Sequence, residues 1–570
     1  MADQGARLTP LGKIISIALI LGLVGAGGYI VFRKGLGGKS GVGGLFSSGP
    51  PETEAPDTTG VTTVKEYKYV PADRLPAVKG VSQYQWDPNE KILHFTYNVW
   101  AGWLPVIAAN GGTKPNSDSV FAKKYGFRVQ MDLMDDPVSA RDAFAAGKVH
   151  TLWGTADMIV LMAPQLILDS RTAPRVVQQI DWSSGGDGIV VRSSIKSVGD
   201  LRGKSIALAQ NSPSEYYLTS LLVSAGISLK DVKMKYTATA FEAAAAFVAD
   251  KKVDACVSWA PDIYNIPEKV AGTRILSSTR DSNKLIADVY AIRADFVHDH
   301  PEVVEGLVAG IFEGMDMVKD KPAPACKWMA DAFGMKQEDV MGMRNDFHST
   351  NFAENAQFFL NSSNMTNFER TWKDASFIYR ELGRIDAPVQ FDQVMDFSFV
   401  QTLQKKGLFA NQKDESIASF TPSSFRKTTA EAPILTQTIR INFYPNSANP
   451  YEPARDDLNN PVAGKLYDPN VDATLERVAR LAGQFARAVI VIEGHCDSSL
   501  KGRANVEAVR QLSLDRAEAI KRALIDKFKF DPNKFSVVGK GSDVPADPND
   551  PNNQALNRRV EIGVYPPEQK

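Results

Sequence analysis

Residues 489–497 read VIVIEGHCD, four apolar residues followed by Glu493 and a loop that begins at Gly494. Four successive valine and isoleucine residues predict a buried strand, and Gly494 predicts the turn at its end. Residues 512–528, LSLDRAEAIKRALIDKF, repeat apolar side chains at helical spacing and predict an amphipathic helix. Residues 557–564, NRRVEIGV, predict another strand. This order of strand, helix and strand indicates a compact α/β unit, which we place at residues 435–566.

Two charged side chains stand out in this unit, because Asp497 follows the first strand and Arg516 lies in the helix. A strand–loop–helix connection can bring both to one edge of a sheet. Together they suit a zwitterion, since a carboxylate accepts hydrogen bonds from an ammonium and a guanidinium binds a carboxylate through two parallel bonds. Taken from the residues alone, a plain surface ion pair is the competing interpretation.

The motifs GHCD (494–497), LSLDRA (512–517) and NRRVEI (557–562) resemble, in order and spacing, the OmpA C-terminal family. That resemblance implies non-covalent binding of peptidoglycan, with Asp497 and Arg516 holding the diaminopimelate of the stem peptide. The sequence departs from the family at Cys496, which replaces a threonine or serine, and at Val509, which replaces an asparagine. The remaining residues that the resemblance implicates in peptidoglycan binding are Cys496, Asn505 and Arg559.

The middle of the chain, residues 65–410, alternates short apolar strands with amphipathic helices. Such alternation predicts parallel sheets with helices on both faces. The segment is too long for one hydrophobic core of this kind, so it predicts two lobes. Polar and aromatic residues follow several strands, as in NVWAGWLP (98–105), WSSGGDGIVV (182–191) and SWAPDIY (258–264). In open α/β sheets ligands bind beyond the carboxyl ends of the strands.

Taken together, the strings VWAGWLP (99–105), SSGGDGIVVRSSIKSVGDLRGKSIALA (183–209) and VDACVSWAPD (253–262) resemble the periplasmic substrate-binding proteins of importers for taurine, nitrate and thiamine precursors. The resemblance implies a ligand pocket between the lobes. The candidate ligand-binding residues are Trp100, Trp103, Thr155, Ser184, Asp187, Ser214 and Trp259. For each of them, ordinary packing or helix capping is the alternative. Asp187 favours an ammonium ligand, whereas hydroxyls and helix N-termini favour a sulfonate, and the sequence leaves this choice open.

Residues 14–32, IISIALILGLVGAGGYIVF, carry no charge. At helical rise nineteen residues span about 28 Å, close to the ~30 Å core of a bilayer. We therefore predict a transmembrane anchor at 14–32, with a cleaved signal peptide as the alternative. Polar, glycine-rich stretches at 33–64 and 411–434 predict flexible linkers. The flanking positive charges do not favour an external C-terminus, but the downstream domains place the bulk of the chain in the periplasm of a bacterium, anchored in its inner membrane.

The composition excludes several classes of function. A formal net charge of -1 gives no global field for nucleic acid. Three cysteines fit no zinc pattern, and His298 and His300 have no partner cluster, so we predict no metal site and no cofactor. No catalytic constellation is found, and we do not expect an enzyme. The predicted fold class is α/β: an N-terminal transmembrane helix, a two-lobed periplasmic-binding-protein fold and a C-terminal OmpA-like α/β sandwich.

Three functions compete. The first is a tethered binding module that holds membrane and wall while its lobes capture or sense a small solute. The second is a stator-like or accessory subunit of an envelope motor or transport complex, for which a multi-span membrane partner is expected. Proton transport would need a carboxylate in the membrane, and residues 14–32 contain none. The third is a structural spacer between membrane and wall with a non-binding middle domain.

Overall fold

The computed structural model describes residues 60–416, 433–444, 446–497 and 505–566. The anchor predicted at residues 14–32 lies outside these ranges. Within them no helix combines the length and the apolar character needed to cross a membrane. The described chain is a mixed α/β structure, as predicted.

The elements of the middle region follow in chain order. Between residues 60 and 183 they are β1 (Tyr69–Val70), β2 (Ile92–Tyr97), α1 (Leu104–Asn110), α2 (Val120–Tyr125), β3 (Arg128–Leu133), α3 (Pro137–Ala145), β4 (Thr151–Thr155), α4 (Ala156–Leu166) and β5 (Pro174–Ser183). The next group is β6 (Asp187–Arg192), β7 (Ser205–Ala209), α5 (Pro213–Ser224), β8 (Lys233–Thr237), α6 (Ala240–Ala249), β9 (Ala255–Trp259), α7 (Asp262–Lys269) and β10 (Thr273–Ser278). The last group is β11 (Ala287–Arg293), α8 (Ala294–Asp299), α9 (Pro301–Asp320), α10 (Pro322–Phe333), α11 (Gln337–Met343), β12 (Phe347–Ser349), α12 (Phe352–Leu360), α13 (Phe368–Glu381) and α14 (Ser398–Lys405).

These elements build two lobes. The first lobe contains a sheet in the order β12-β5-β11-β4 and the parallel pair β2-β3, and the second contains a sheet in the order β1-β8-β7-β9-β6-β10. The chain passes from one lobe to the other after β1, after β5 and after β10. Strands β6 and β11 are buried almost throughout, as apolar strands covered on both faces must be. The ends of β5, β6, β10 and β11 therefore meet where the lobes join, and we call this region the hinge.

The C-terminal domain contains β13 (Leu435–Ile439), β14 (Pro453–Arg455), β15 (Pro461–Leu466), α15 (Val471–Gln484), β16 (Val489–Gly494), α16 (Val506–Phe528), β17 (Phe535–Gly539), α17 (Gln554–Asn557) and β18 (Val560–Tyr565). Its main sheet has the order β13-β18-β16-β17, with β16 parallel to β17 and antiparallel to β18. The apolar run of β16 lies in the centre of this sheet.

Helix α16 packs against β16 at unusually short range, and glycine makes this approach possible. A Cβ on Gly494 would lie 2.0 Å from the carbonyl oxygen of Ser513, and one on Gly539 would lie 2.6 Å from that of Arg510. Both distances are too short for a residue that has a Cβ. Helix α16 therefore lies directly against the ends of β16 and β17. This contact fixes the rotation of α16 and places Arg516 beside the residues that follow β16.

The C-terminal domain also docks on the middle region, and it touches both lobes and the hinge. Ile434 accepts a backbone hydrogen bond of 2.9 Å from Val198 of the second lobe. Arg480 of α15 forms an ion pair of 2.7 Å with Asp374 of α13. At the hinge, the amide of Lys284 donates to the carbonyl of Gln484 at 3.1 Å. Helix α13 itself packs against α4 and α5, so the docked domain bridges the two lobes.

Candidate functional site

A cavity of about 430 Å³ opens at the carboxyl end of β16 in the C-terminal domain. The residues that follow β16, the inner face of α16, the start of β18 and the loop after β13 surround it. Its lining residues are Ile441, Asn442, Phe443, Asn446, Tyr467, His495, Cys496, Asp497, Leu512, Arg516, Arg558 and Arg559. The structure therefore brings Asp497 and Arg516 to one cavity, although 18 residues separate them in the sequence.

Asp497 reaches the cavity because β16 ends three residues before it, at Gly494. The amide of Cys496 donates to the carbonyl of Gly541 at 2.7 Å, which holds this short segment in place. The Asp497 side chain is largely buried, and its Oδ2 accepts a hydrogen bond of 2.8 Å from Nη1 of Arg558. An arginine that lies two residues before the neighbouring strand β18 thus orients this carboxylate.

Arg516 enters the cavity from α16 and is also buried. Its Nε donates to the carbonyl of Ser447 at 3.1 Å, and its guanidinium lies 4.9 Å from the centre of the Phe443 ring. Nη1 lies 3.9 Å from the sulfur of Cys496, a weak contact. Burial lowers the pKa of Arg516, since removal from water disfavours the charged form. A partly desolvated guanidinium of this kind binds an incoming carboxylate more strongly than an exposed one does.

We call the cavity around Asp497 and Arg516 the wall site, after the peptidoglycan binding predicted for it. The other residues predicted to bind peptidoglycan take different positions. Arg559 lines the cavity, but its Nε is held by Glu561 at 2.6 Å. Cys496 is buried at the cavity wall, and burial raises the pKa of its thiol. Asn505 caps α16, accepting a hydrogen bond of 2.8 Å from the amide of Glu507, and is not among the lining residues.

Beside the cavity, Glu493, His495 and Glu561 place their ligand atoms within 4.8 Å of one another. Cations already face both glutamates: Arg559 holds Glu561, and Nζ of Lys540 lies 3.7 Å from Glu493. Burial is the main cause that lowers the pKa of His495, to about 4. The two cations balance the two glutamates, and these contacts stabilise the end of β16.

The second group of predicted residues surrounds the hinge of the middle region. Three strands place Thr155, Asp288 and Asp181 directly opposite one another, in one row across β4, β11 and β5. The indole Nε1 of Trp100 donates to Oδ2 of Asp181 at 3.2 Å. Only a glycine at 102 admits this carboxylate, because a Cβ there would lie 1.8 Å from the same oxygen.

The predicted residues of the hinge turn lie on the other side of Trp100. A Cβ on Gly186 would lie 2.5 Å from Cη2 of the Trp100 ring, so the ring is wedged against this turn. Asp187 accepts a hydrogen bond of 2.7 Å from the hydroxyl of Ser183. Ser184 accepts one of 3.2 Å from Nη1 of Arg487, a residue of the C-terminal domain.

The remaining predicted residues divide between the hinge and the core. Trp259 lies opposite Asp187 in the β6–β9 register and packs on Phe241, with ring centres 5.4 Å apart. Ser214 is fully buried in the first turn of α5. Trp103 is also fully buried and donates to Asn98 at 2.8 Å, so it forms part of the packing of the first lobe.

Sequence reasoning missed several residues of both sites. In the cavity of the C-terminal domain these are Phe443 and Arg558, and Arg558 lies in the quoted string NRRVEIGV. At the hinge they are Asp157, Asp181 and Asp288, each a single acid flanked on both sides by apolar residues. An isolated aspartate in such a run is a signal in itself, because a charged residue is rarely fully buried without a partner.

Comparison with known proteins identifies both folded regions. Residues 464–559 match the model of the OmpA family, and residues 123–325 match the model described as NMT1/THI5 like. The chain thus combines an OmpA family domain at its C-terminus with a substrate-binding domain of the NMT1/THI5-like type, which confirms the predicted fusion.

Individual relatives agree with the second match. A binding protein of Brucella abortus (strain 2308) is 30% identical over 138 residues, which are 24% of this chain and 43% of that protein. The chain therefore spans less than half the length of this relative. The taurine-binding periplasmic protein of Escherichia coli (strain K12) is 26% identical over 238 residues, 40% of this chain and 71% of that protein. The crystal structure of the periplasmic aliphatic sulphonate binding protein of Escherichia coli superposes with a TM-score of 0.41 at 18% identity, covering 53% of this chain and 91% of that one.

Proposed function

We propose that this chain is a bacterial envelope protein that binds peptidoglycan through its C-terminal domain and captures or senses a small solute between its two middle lobes. The cavity that holds Asp497 and Arg516 carries the first part of the proposal. It offers a buried carboxylate and a buried guanidinium on one surface, which is the complement of an amino acid such as the diaminopimelate of a stem peptide.

The position of this cavity suits a protein that binds the wall while its domains stay docked. Strand β16 begins near Arg487, which contacts Ser184 of the middle region, and ends at Gly494, next to the cavity. A six-residue strand is about 20 Å long. The docking face and the cavity therefore lie at opposite ends of the strand, and peptidoglycan can enter without displacing the middle region.

The wall site is tested by co-sedimentation of the full chain, purified in detergent, with diaminopimelate-type sacculi. We expect the double variant Asp497→Ala/Arg516→Ala to lose at least tenfold in binding, because it removes both charges that meet the zwitterion. The matched control is Asp515→Ala/Arg522→Ala, which removes the same residue types from the exposed face of the same helix. Equal binding by the two double variants would refute the assignment of the cavity.

The proposed location combines both domains with the segment 14–32. In this proposal that segment anchors the chain in the inner membrane and the domains lie in the periplasm, where peptidoglycan is. Protease added to intact spheroplasts should then degrade the C-terminal domain, whereas a cytoplasmic marker stays intact. Protection of the domain until the membrane is dissolved would contradict this topology.

A further inference from the structure

Four aspartates converge where the lobes join. Asp181 and Asp288 are opposite each other on β5 and β11, and Asp187 begins β6. Asp157 lies in the first turn of α4, two residues after Thr155, which is itself opposite Asp288. Each of these aspartates is at most 8% exposed. We call these four residues the hinge acids.

Three neutral groups donate hydrogen bonds to the hinge acids, and Asp181 and Asp288 also hydrogen-bond each other. Trp100 donates to Asp181 at 3.2 Å, Ser183 to Asp187 at 2.7 Å, and the hydroxyl of Tyr379 to Asp157 at 2.8 Å. No lysine or arginine of the described ranges forms an ion pair with any of the four. The nearby cations are engaged elsewhere, since Arg384 is paired with Glu215 at 2.7 Å and Arg487 donates to Ser184.

A second observation points to a missing partner at the same place. The hydroxyl of Ser214 is fully buried and has no hydrogen-bond partner among the described residues. It lies in the first turn of α5, and this turn faces the hinge acids: Tyr379, which donates to Asp157, also donates to the carbonyl of Ser212 at 3.3 Å. Buried polar atoms are normally satisfied, so this hydroxyl marks a site for a ligand.

The acids dominate the electrostatics of the cluster, and His348 is the opposing group that acts on Asp181. Burial, with the neighbouring acids, raises the pKa of Asp187 to about 7 and raises those of Asp181 and Asp288 as well. Buried carboxylates without cations repel one another and any bound anion. A ligand that brings positive charge and N–H donors would offset the repulsion between the acids and supply a partner for the buried hydroxyl of Ser214. The faces of Trp100 would favour the same charge.

We propose that the hinge acids form a binding site, the hinge site, for an organic cation whose primary ammonium group donates hydrogen bonds to them. The hinge site accepts no anionic group. This inference rests on the proposed capture of a solute between the lobes and specifies its charge. A sulfonate that carries no ammonium group would meet four acids in this position.

The experiment is isothermal titration of the full chain in detergent, carried out in the Asp497→Ala/Arg516→Ala background so that the wall cavity adds no heat. The probes are n-butylammonium and butane-1-sulfonate, which share one tail and differ in charge, together with putrescine. We expect saturable binding of the two amines and none of the sulfonate. Asp181→Asn/Asp187→Asn should weaken amine binding at least tenfold, whereas Asp118→Asn, at an exposed position, should leave it unchanged.

Each contrary result has its own meaning. Binding of butane-1-sulfonate without the amines would overturn the charge assignment and leave solute capture standing. Binding of none of the probes, by protein whose thermal unfolding is cooperative, would overturn the assignment too. Amine binding that survives the double substitution would place the amine elsewhere. Because asparagine keeps the shape of aspartate, a melting temperature at or above that of the parent shows that the variant is folded.

Discussion

Asp497 and Arg516 line one cavity but take different protein partners, since Arg558 donates to the carboxylate and Ser447 accepts from the guanidinium. The residue between them in space is Cys496, whose sulfur lies 3.9 Å from Nη1 of Arg516. A thiol is a weak acceptor. The cavity therefore presents two oriented charges, but the contact between Arg516 and Cys496 inside it is weak.

Replacing Cys496 by threonine tests that contact. An oxygen at this position accepts a charge-assisted hydrogen bond, which contributes roughly 1.5–3 kcal/mol where it forms fully. We expect Cys496→Thr to orient Arg516 better and to raise affinity for sacculi a fewfold in a co-sedimentation titration. Cys496→Ala is the control, and it should leave affinity at or below that of the parent. Weaker binding by the threonine variant would show that the sulfur is needed for its size.

The hinge acids predict a pH dependence of stability. Asp187 has its pKa raised to about 7, first by burial and then by Asp157 and Asp346, against a lowering effect of Ser183. The folded state then binds a proton more tightly than the unfolded state, so stability is highest at low pH and falls as pH rises towards 7. Asp181 and Asp288 act in the same direction.

We therefore expect the melting temperature of the ligand-free middle region to fall between about pH 5 and 7. Asp187→Asn should flatten this slope and raise the melting temperature at neutral pH, because the buried acid is removed. Differential scanning calorimetry at several pH values measures both effects. An unchanged slope in the variant would mean that Asp187 does not titrate in this range.

At the scale of elements, the close packing of α16 on β16 decides where Arg516 lies. Gly494→Ala would force the strand and the carbonyl of Ser513 apart, and overpacking of this kind costs about 1–3 kcal/mol. We expect a lower melting temperature of the C-terminal domain and weaker binding to sacculi. Gly342→Ala is the control, since a Cβ at that helical position meets nothing within 4 Å. Equal effects of the two substitutions would contradict the packing argument.

At the scale of the whole molecule, the C-terminal domain is docked across the hinge. The ion pair of Arg480 with Asp374 and the hydrogen bond from Lys284 to Gln484 lie in this interface. A motion of the lobes that shifts α13 or Lys284 would change these contacts. The C-terminal domain is therefore in a position to respond to the lobes.

Weakening the interface should be visible in hydrogen exchange. We expect Asp374→Ala/Arg480→Ala to speed exchange at the amides of Lys284 and Val198, which donate to Gln484 and Ile434 of the C-terminal domain. Arg477→Ala is the control, because this arginine is exposed on the same helix. Unchanged exchange at both amides would mean that the ion pair does not hold the domains together.

The position of Asp497 and Arg516 at one cavity was predictable in large part, because the information that places them is local. Apolar runs and helical spacing gave β16 and α16, and the order of the motifs pointed to Asp497 and Arg516. Arg558 was missed because its partner is set by the pairing of β16 with β18, which brings residues 497 and 558 together. The pairing of strands that lie far apart in the sequence produces no periodic pattern of residues.

Local patterns in the sequence predicted which segments form strands and helices, the two lobes and the α/β domain, and the two charged residues that line its cavity. The tertiary structure adds the pairing of Asp181 with Asp288, the approach of Asp157 and Ser214 to the same hinge, and the contact of Arg487 with Ser184. The physical reason is that periodicity reports which face of an element is buried. The register between strands and the docking of domains depend on contacts between residues far apart in the chain.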